Sequence, residues 1–398
     1  MSDVSWQIKS LSELGRFSRG KSKHRPRNDK KLFTNGTYPL IQTGDIKNAN
    51  LYVTKNSDYY NEFGLSQSKL WEQGTLCITI AANIAETAIL SYPMCFPDSV
   101  VGFNAHKNES SELFVYYVFE LIKKEIQKTS SGSIQDNINI DYLTKLKLKV
   151  PNKDYQDRIV NLLSTIDKKI LINNQINEEL EAMAKTLYDY WFVQFDFPDE
   201  NGKPYKSSGG KMVYNDQLKR EIPEGWGVKQ LGELADLYQP QTLSEKDLIS
   251  NGRYFVYGAN GIIGKYNKYN HETPMLAIAC RGNSCGAINI TQPFSWITGN
   301  AMVVKPKFEY ICIDYLKYSL LNGNIYKTIS GSAQPQITRT NLSPLLLLQA
   351  DETILSEYAD RINSMFSLRI KNFQQNQELT QLRDWLLPML MNGQVKVE

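Results

Sequence analysis

No run in the 398 residues approaches eighteen uncharged apolar positions, and the opening MSDVSWQIKS lacks the apolar core of a signal peptide. Neither a membrane span nor secretion is expected, and the expected location is the cytoplasm. Cysteine and histidine are scarce. Cys77, Cys95, Cys280, Cys285 and Cys312 are an odd set without a Cys-x-x-Cys pair, and only His24, His106 and His271 could join them as ligands. Cys280 and Cys285, the closest pair, read as buried or loop thiols, and no metal site is expected. Excess charge is lacking too: Lys+Arg 45 against Asp+Glu 42 leaves +3, which by itself points to no class of partner.

The distribution of charge is more informative than its sum. Residues 1 to 36 hold nine basic side chains against three acidic ones, and Lys21, Lys23, Arg25 and Arg27 fall within seven positions. Such a cluster suits contact with phosphates, and equally a solvated face. A hydrophobic fraction of 41% over this length is enough for two or three separate cores.

The chain is written twice. Shifted by 199 residues, TSSGSIQDNINIDYLTKLKLKVP from Thr129 falls on TISGSAQPQITRTNLSPLLLLQA from Thr328. The same shift sets Asn173, Asn177, Leu180 and Leu187 on Asn372, Asn376, Leu379 and Leu386, so no gap opens in between. Upstream the displacement is 220, since WQIKSLSEL from Trp6 resembles WGVKQLGEL from Trp226. Each copy therefore has a front part of variable length and a regular back part.

The front parts read as short strands (76–80, 276–279, 301–304) broken by Gly, Asn and Pro turns, closing with a helix such as ELFVYYVFELIKKEIQK: an α+β pattern. The back parts carry a heptad. With a at 159, 166, 173, 180 and 187 and d at 162, 169, 176, 183 and 190, and the same spacing from Tyr358, two long amphipathic helices can pair as a coiled coil. Asn173 and Asn372 share one a position, where buried asparagine sets helix register; a place at an exposed helix end would suit them equally. Pro151 and Pro198 bracket the first helix. The Gly-, Pro- and Lys-rich stretch after it is a linker. The expected division is 1–152 first front domain, 153–197 central helix, 198–225 linker, 226–350 second front domain and 351–398 C-terminal helix.

The tandem copies, the helix ending LEAMAKTLYDYWFVQFDFP, the linker NGKPYKSSGGKM, the re-entry IPEGWGVKQLGEL and the closing LRDWLLPMLMNGQVKV together resemble the specificity subunit of type I restriction-modification enzymes, over essentially the whole chain. The resemblance implies two target-recognition domains, each reading one half of a split site in double-stranded DNA. It also implies an antiparallel helix pair that spaces them and docks two methyltransferase subunits. S-adenosylmethionine would sit on those subunits for adenine methylation, and ATP and Mg on motor-nuclease subunits. No cofactor is expected in this chain. No Asn-Pro-Pro-aromatic tetrapeptide and no Gly-rich fingerprint after a strand is present.

Gly15 to Ser22 satisfies the phosphate-loop pattern G-x-x-x-x-G-K-[ST] literally, so a nucleotide-binding protein is one alternative; a coiled-coil scaffold without DNA binding is another. The segment after it, KHRPRNDK, has no apolar period to make the helix a phosphate loop needs. A basic turn facing DNA is the preferred reading. In the repeated SGSIQ and SGSAQ, Ser131, Gln135, Ser330 and Gln334 suit base and phosphate contact, as does a polar turn. Asn83, Arg281 and Asn283 are candidates by residue type and loop position. Tyr188, Trp191, Phe192 and Trp385 are candidates for docking a partner subunit, with helix packing as the plainer reading.

Overall fold

The computed structural model describes residues 4–131, 140–331 and 334–397, apart from the side chains of 129–131. They fall into two units, Met1–Ile172 with Gln375–Glu398, and Asn173–Gln374. In each, the repeated words build the same entrance. Trp6–Ser10 pairs antiparallel with Lys147–Pro151 in the first unit, and Gly227–Gln230 with Leu346–Gln349 in the second. The shared LSEL and LGEL then make one helical turn, Leu11–Leu14 and Leu231–Leu234. Its glutamate accepts from the residue before the turn, Ser10 N–H to Glu13 (2.6 Å) and Gln230 N–H to Glu233 (2.8 Å). These carboxylates satisfy backbone donors that a helix start leaves open, and the leucines on either side are fully buried.

In the first unit the chain leaves this turn into Gly15–Arg19, the edge of a five-stranded sheet that continues through Val100–Ala105, Leu76–Thr79, Thr87–Leu90 and Tyr52–Val53. The helix Glu112–Ser131 covers it with Phe114, Val115, Tyr117 and Phe119, all buried. A smaller four-stranded sheet stands beside it around Leu32, Leu40, Tyr60 and Cys95. The second unit repeats the plan with Ala235–Tyr238, Ala301–Pro306, Leu276–Ala279 and Ile288–Ile290. Its covering helix is Ile313–Asn322, and its smaller sheet has three strands. The expected linker is ordered here: Met212–Asn215 and Arg220–Pro223 form a hairpin, and Phe197 stacks on Tyr205 and Trp226.

The back segments form the helices Lys153–Tyr188, extended by one wide turn to Val193, and Glu352–Met391. Within each unit the two run antiparallel. In the first, the Tyr155 hydroxyl donates to Val395 C=O and Arg383 Nη1 donates to Asp167 (2.8 Å). In the second, Asn372 Nδ2 donates to Asn177 Oδ1 (2.9 Å) and the Tyr358 hydroxyl to Ala184 C=O. Position a of the heptad lies in the seam, with Ile159, Asn173 and Tyr358 fully buried. The expected d line does not. Leu162, Ile176, Met183, Leu368 and Leu382 are exposed, and the second buried line is e, at Leu163, Ala184, Ile362 and Leu390. Each helix packs on a covering helix of a front domain as well as on its partner, as in Tyr117 with Asp167 and Asp314 with Arg369, and this turns its apolar stripe from d to e.

Asn173 and Asn372 are buried in mid-helix. Tyr188, Trp191 and Phe192 are likewise inside, 3%, 2% and 1% exposed, packed with Tyr315 and Tyr358. Helix packing is therefore what they do here, since buried rings present no docking surface; Trp385 is 56% exposed. Arg383 also shapes the first core. The Tyr117 hydroxyl donates to the other oxygen of Asp167 (2.6 Å), and burial together with that carboxylate pushes the phenol's pKa up.

Candidate nucleic-acid interface

Strand pairing brings distant loops to one end of the larger sheet in each unit. In the first unit, Gly20 N–H donates to Val100 C=O and Ile80 N–H to Ser99 C=O, both at 2.9 Å. The loop after Arg19, the loop 80–86 and the turn at Asp98 are thus neighbours. Lys21, Lys23, Arg25 and Arg27 lie exposed on the first of these. Asp98 holds the loop: Arg27 Nη2 reaches its Oδ1 at 2.5 Å, Arg25 Nη2 its Oδ2 at 3.6 Å, and Arg19 Nε donates to its carbonyl at 2.7 Å. Further along, His24 bonds Asp29 (2.8 Å), and the hydrogen bond from Lys31 N–H, followed by the one to His24, holds that carboxyl below its usual range. On the middle loop Lys47 Nζ donates to Asn83 Oδ1 (3.3 Å), between Ala82 and Ala85 at positive φ.

The matching end of the second unit is built likewise. Cys280 N–H donates to Asn300 C=O (3.1 Å), and Gln239 Nε2 to Gly299 C=O (3.2 Å). Ser330 and Gln336 exchange backbone bonds of 2.9 and 2.8 Å, with Gly331 at φ +86°. Gln336 and Pro335 dock on the neighbouring loop, where Arg281 bridges Gln336 and Gly282 N–H donates to Pro335 C=O (3.2 Å). Arg281, Asn283 and Gln334 are exposed on this rim and Ser330 is half-buried. Cys280 lies beneath, its thiol pushed up to about 11 by burial. A rim of this kind offers cations, amides and hydroxyls on backbone fixed by sheet pairing, which suits phosphate and base-edge hydrogen bonding.

The family model described as "Type I restriction modification DNA specificity domain" matches residues 3–182 and 223–347. The chain belongs to that family. It is 23% identical over 420 residues to the MjaIX specificity subunit of Methanocaldococcus jannaschii, covering 99% of this chain and 94% of that one. It is 24% identical over 361 residues to the HindI specificity subunit of Haemophilus influenzae, covering 72% and 75%. Among solved structures it resembles the type I restriction-modification S subunit of M. genitalium, with TM-score 0.56 and 16% identity over 98% and 97% of the two chains, a likeness of fold.

Within this specificity-domain family the nucleotide-binding alternative has no place. Gly15 to Arg19 is a paired strand, and the two glycines answer to packing: a Cβ on Gly15 would collide with the Phe103 ring, and one on Gly20 with Pro97 and Phe96. Among the described residues no group of three or more His, Cys, Asp or Glu could hold a metal ion, and no helix is long and apolar enough to cross a membrane. Of the expected site residues, Lys21, Lys23, Arg25, Arg27 and Asn83 converge in one unit, and Arg281, Asn283, Ser330 and Gln334 in the other. Gln135 and the side chain of Ser131 lie outside the described residues. Arg19, Lys47, Gln239 and Asn300 share these rims and escaped sequence reasoning. Aligning the two copies strand by strand would have flagged Arg19 and Gln239, which end or follow equivalent edge strands.

Proposed function

We propose that this chain is the non-catalytic DNA-reading subunit of a type I restriction-modification complex. Residues 1–152 and 226–350 each read half of a bipartite site. Lys21, Lys23, Arg25 and Arg27 take phosphates, and Asn83, Arg281, Asn283, Ser330 and Gln334, with Ser131 and Gln135, contact bases or backbone. The observation that carries the reading is that both units, built from one repeat, gather polar and basic loops at the same end of the same sheet.

The helix pair serves the assembly. Asn173 and Asn372 fix its register from within. The exposed d line, with Trp385, is the surface for two methyltransferase subunits, because an apolar stripe left in water by a soluble helix is a place to bury area against a partner. S-adenosylmethionine is bound by those subunits, and ATP and Mg by the motor-nuclease subunits that join for cleavage, in the cytoplasm. Exchange of residues 226–350 for the matching part of a relative tests the scheme by mapping adenine methylation in cells carrying the hybrid. One half-site should change and the other persist. Change in both halves refutes the modular assignment.

A further inference from the structure

The hairpin Tyr254–Gly258 and Gly261–Tyr266 of the second unit carries an apolar pair that the fold does not bury. Ile262 and Ile263 are 43% and 44% exposed. Tyr257 pairs with Ile262 and Val256 with Gly264, so Ile263 is the extra residue of a bulge, which breaks the regular alternation and re-aims side chains beside Ile262. The hairpin's turn, Ala259–Asn260, closes on Gly261 at φ +99°, a conformation that glycine supplies without strain.

The position of the tip follows from the pairing. Tyr254–Gly258 runs parallel to Trp296–Ile297, and Thr298 N–H donates to Tyr257 C=O (2.9 Å). Two residues later Asn300 accepts from Cys280, next to Arg281. The hairpin tip thus adjoins the polar rim assigned above to DNA. Residues 251–270 carry Arg253, Lys265 and Lys268 and no acidic side chain. An apolar pair on a hairpin whose own charged side chains are all cationic is complementary to a polyanion that also offers apolar groups.

We infer that Ile262 and Ile263 read thymine, packing on C5-methyl groups in the major groove of the half-site bound by the second domain. Among the base-edge groups of that groove the thymine methyl alone is apolar. Over any other edge the isoleucines would bury donors and acceptors without partners. The inference rests on the DNA-reading function proposed above.

The test uses the full-length chain assembled with its methyltransferase partner. Its site is first selected from random duplexes, and the second half-site is assigned by the exchange of residues 226–350. Deoxyuridine then replaces each thymidine of that half-site in turn, which removes one methyl and leaves every hydrogen bond. At one or more positions the parent should bind about fourfold more weakly per methyl lost, the scale of one buried carbon. The variant Ile262→Ala/Ile263→Ala should bind weakly to both duplexes and show no uracil effect. The milder Ile262→Val/Ile263→Val should keep part of it, with an unchanged melting temperature for both variants. A uracil effect equal in parent and alanine variant, none at any position, or a half-site without thymine overturns the inference. So does a variant that binds DNA normally and fails only to assemble with its partner. A selection that returns no shared sequence refutes the DNA-reading function itself, a separate outcome.

Discussion

Replacing Lys21, Lys23, Arg25 and Arg27 together by Ala should alter DNA binding in a manner that the loop geometry makes quantitative. All four are exposed at the sheet end, but Arg25 and Arg27 share the Asp98 carboxylate, at 3.6 and 2.5 Å. One of the four charges is thus offset within the protein, and on the proposed function the loop would neutralise three to four phosphates. At about 0.9 per phosphate, the slope of log affinity against log salt should flatten by about 2.7 to 3.6. Between about 50 and 200 mM salt the parent should therefore lose about 40- to 150-fold more affinity than the variant. The loss should be alike on cognate and unrelated duplexes, because phosphates carry no sequence. Asp98→Asn should act in the opposite sense, freeing the two arginines and steepening the slope by up to about 0.9. The equivalent loop of the second unit, residues 239–250, has Lys246 as its one cation beside Glu245 and Asp247, so Lys246→Ala should shift the slope far less. Fluorescence anisotropy over a salt series, on the chain assembled with its methyltransferase partner, reads all three. An unchanged slope in the quadruple variant would falsify the assignment, and a loss confined to one sequence would mean that these side chains read bases.

Three further outcomes bear on the scaffold. Leu390→Ala empties a fully buried position in the first unit's core, and chemical denaturation should show about 2–5 kcal/mol lost; a loss under half a kilocalorie would place Leu390 outside the core. Arg369→Ala leaves Asp314, 1% exposed and bonded to Arg369 Nη1 at 3.1 Å, as a buried charge without its hydrogen-bonded cation, with Lys317 alone nearby to offset it. It should cost about 3–5 kcal/mol, largely recovered in Arg369→Met/Asp314→Leu; no recovery would mean that the pair does more than neutralise itself. His271 is the pH-sensitive group. Asn270 Oδ1 accepts from Ile297 N–H and so must accept from His271 Nδ1, which leaves Nε2 to accept from the Tyr238 hydroxyl (2.9 Å). Burial and then the nearby Lys305 hold its pKa below the ordinary range. Its contribution is thus complete above the unfolded-state pKa of about 6.5 and is lost as pH falls below it. Thermal melts from pH 7.5 to 5.5 should fall more steeply for the parent than for His271→Gln, and parallel curves would remove His271 from the account.

The features legible in the sequence were those written in local order. The repeat fixed two copies of one α+β plan, and the capping glutamates Glu13 and Glu233 sat in words shared by both. The basic loop stood out by charge alone. Heptad spacing found the buried a line, but choosing between d and e as its companion requires knowing what else the helix touches, and the covering helices are far away in sequence. Tyr188, Trp191 and Phe192 mislead for the same reason, since large aromatics near a helix end look alike whether Tyr315 and Tyr358 cover them or water does. Arg19, Lys47, Gln239 and Asn300 become site candidates only once strands are paired, and pairings such as Arg19 with Val101 span some eighty residues.

Residues 375–398 complete the core of the first unit, where Leu387, Leu390 and Met391 join Tyr155, Ile159 and Leu163. This sets an order on synthesis. Domains ordinarily fold as they leave the ribosome, the earliest first, but here the unit that starts at the amino end waits for the last-made stretch of the other helix. The contiguous second unit, Asn173–Gln374, has all its residues sooner. During translation the exposed flank of Tyr155, Ile159 and Leu163 stays in water for the time needed to make more than two hundred residues. A ribosome stalled or a message cut just after residue 374 would therefore leave the core of the half that was made first incomplete.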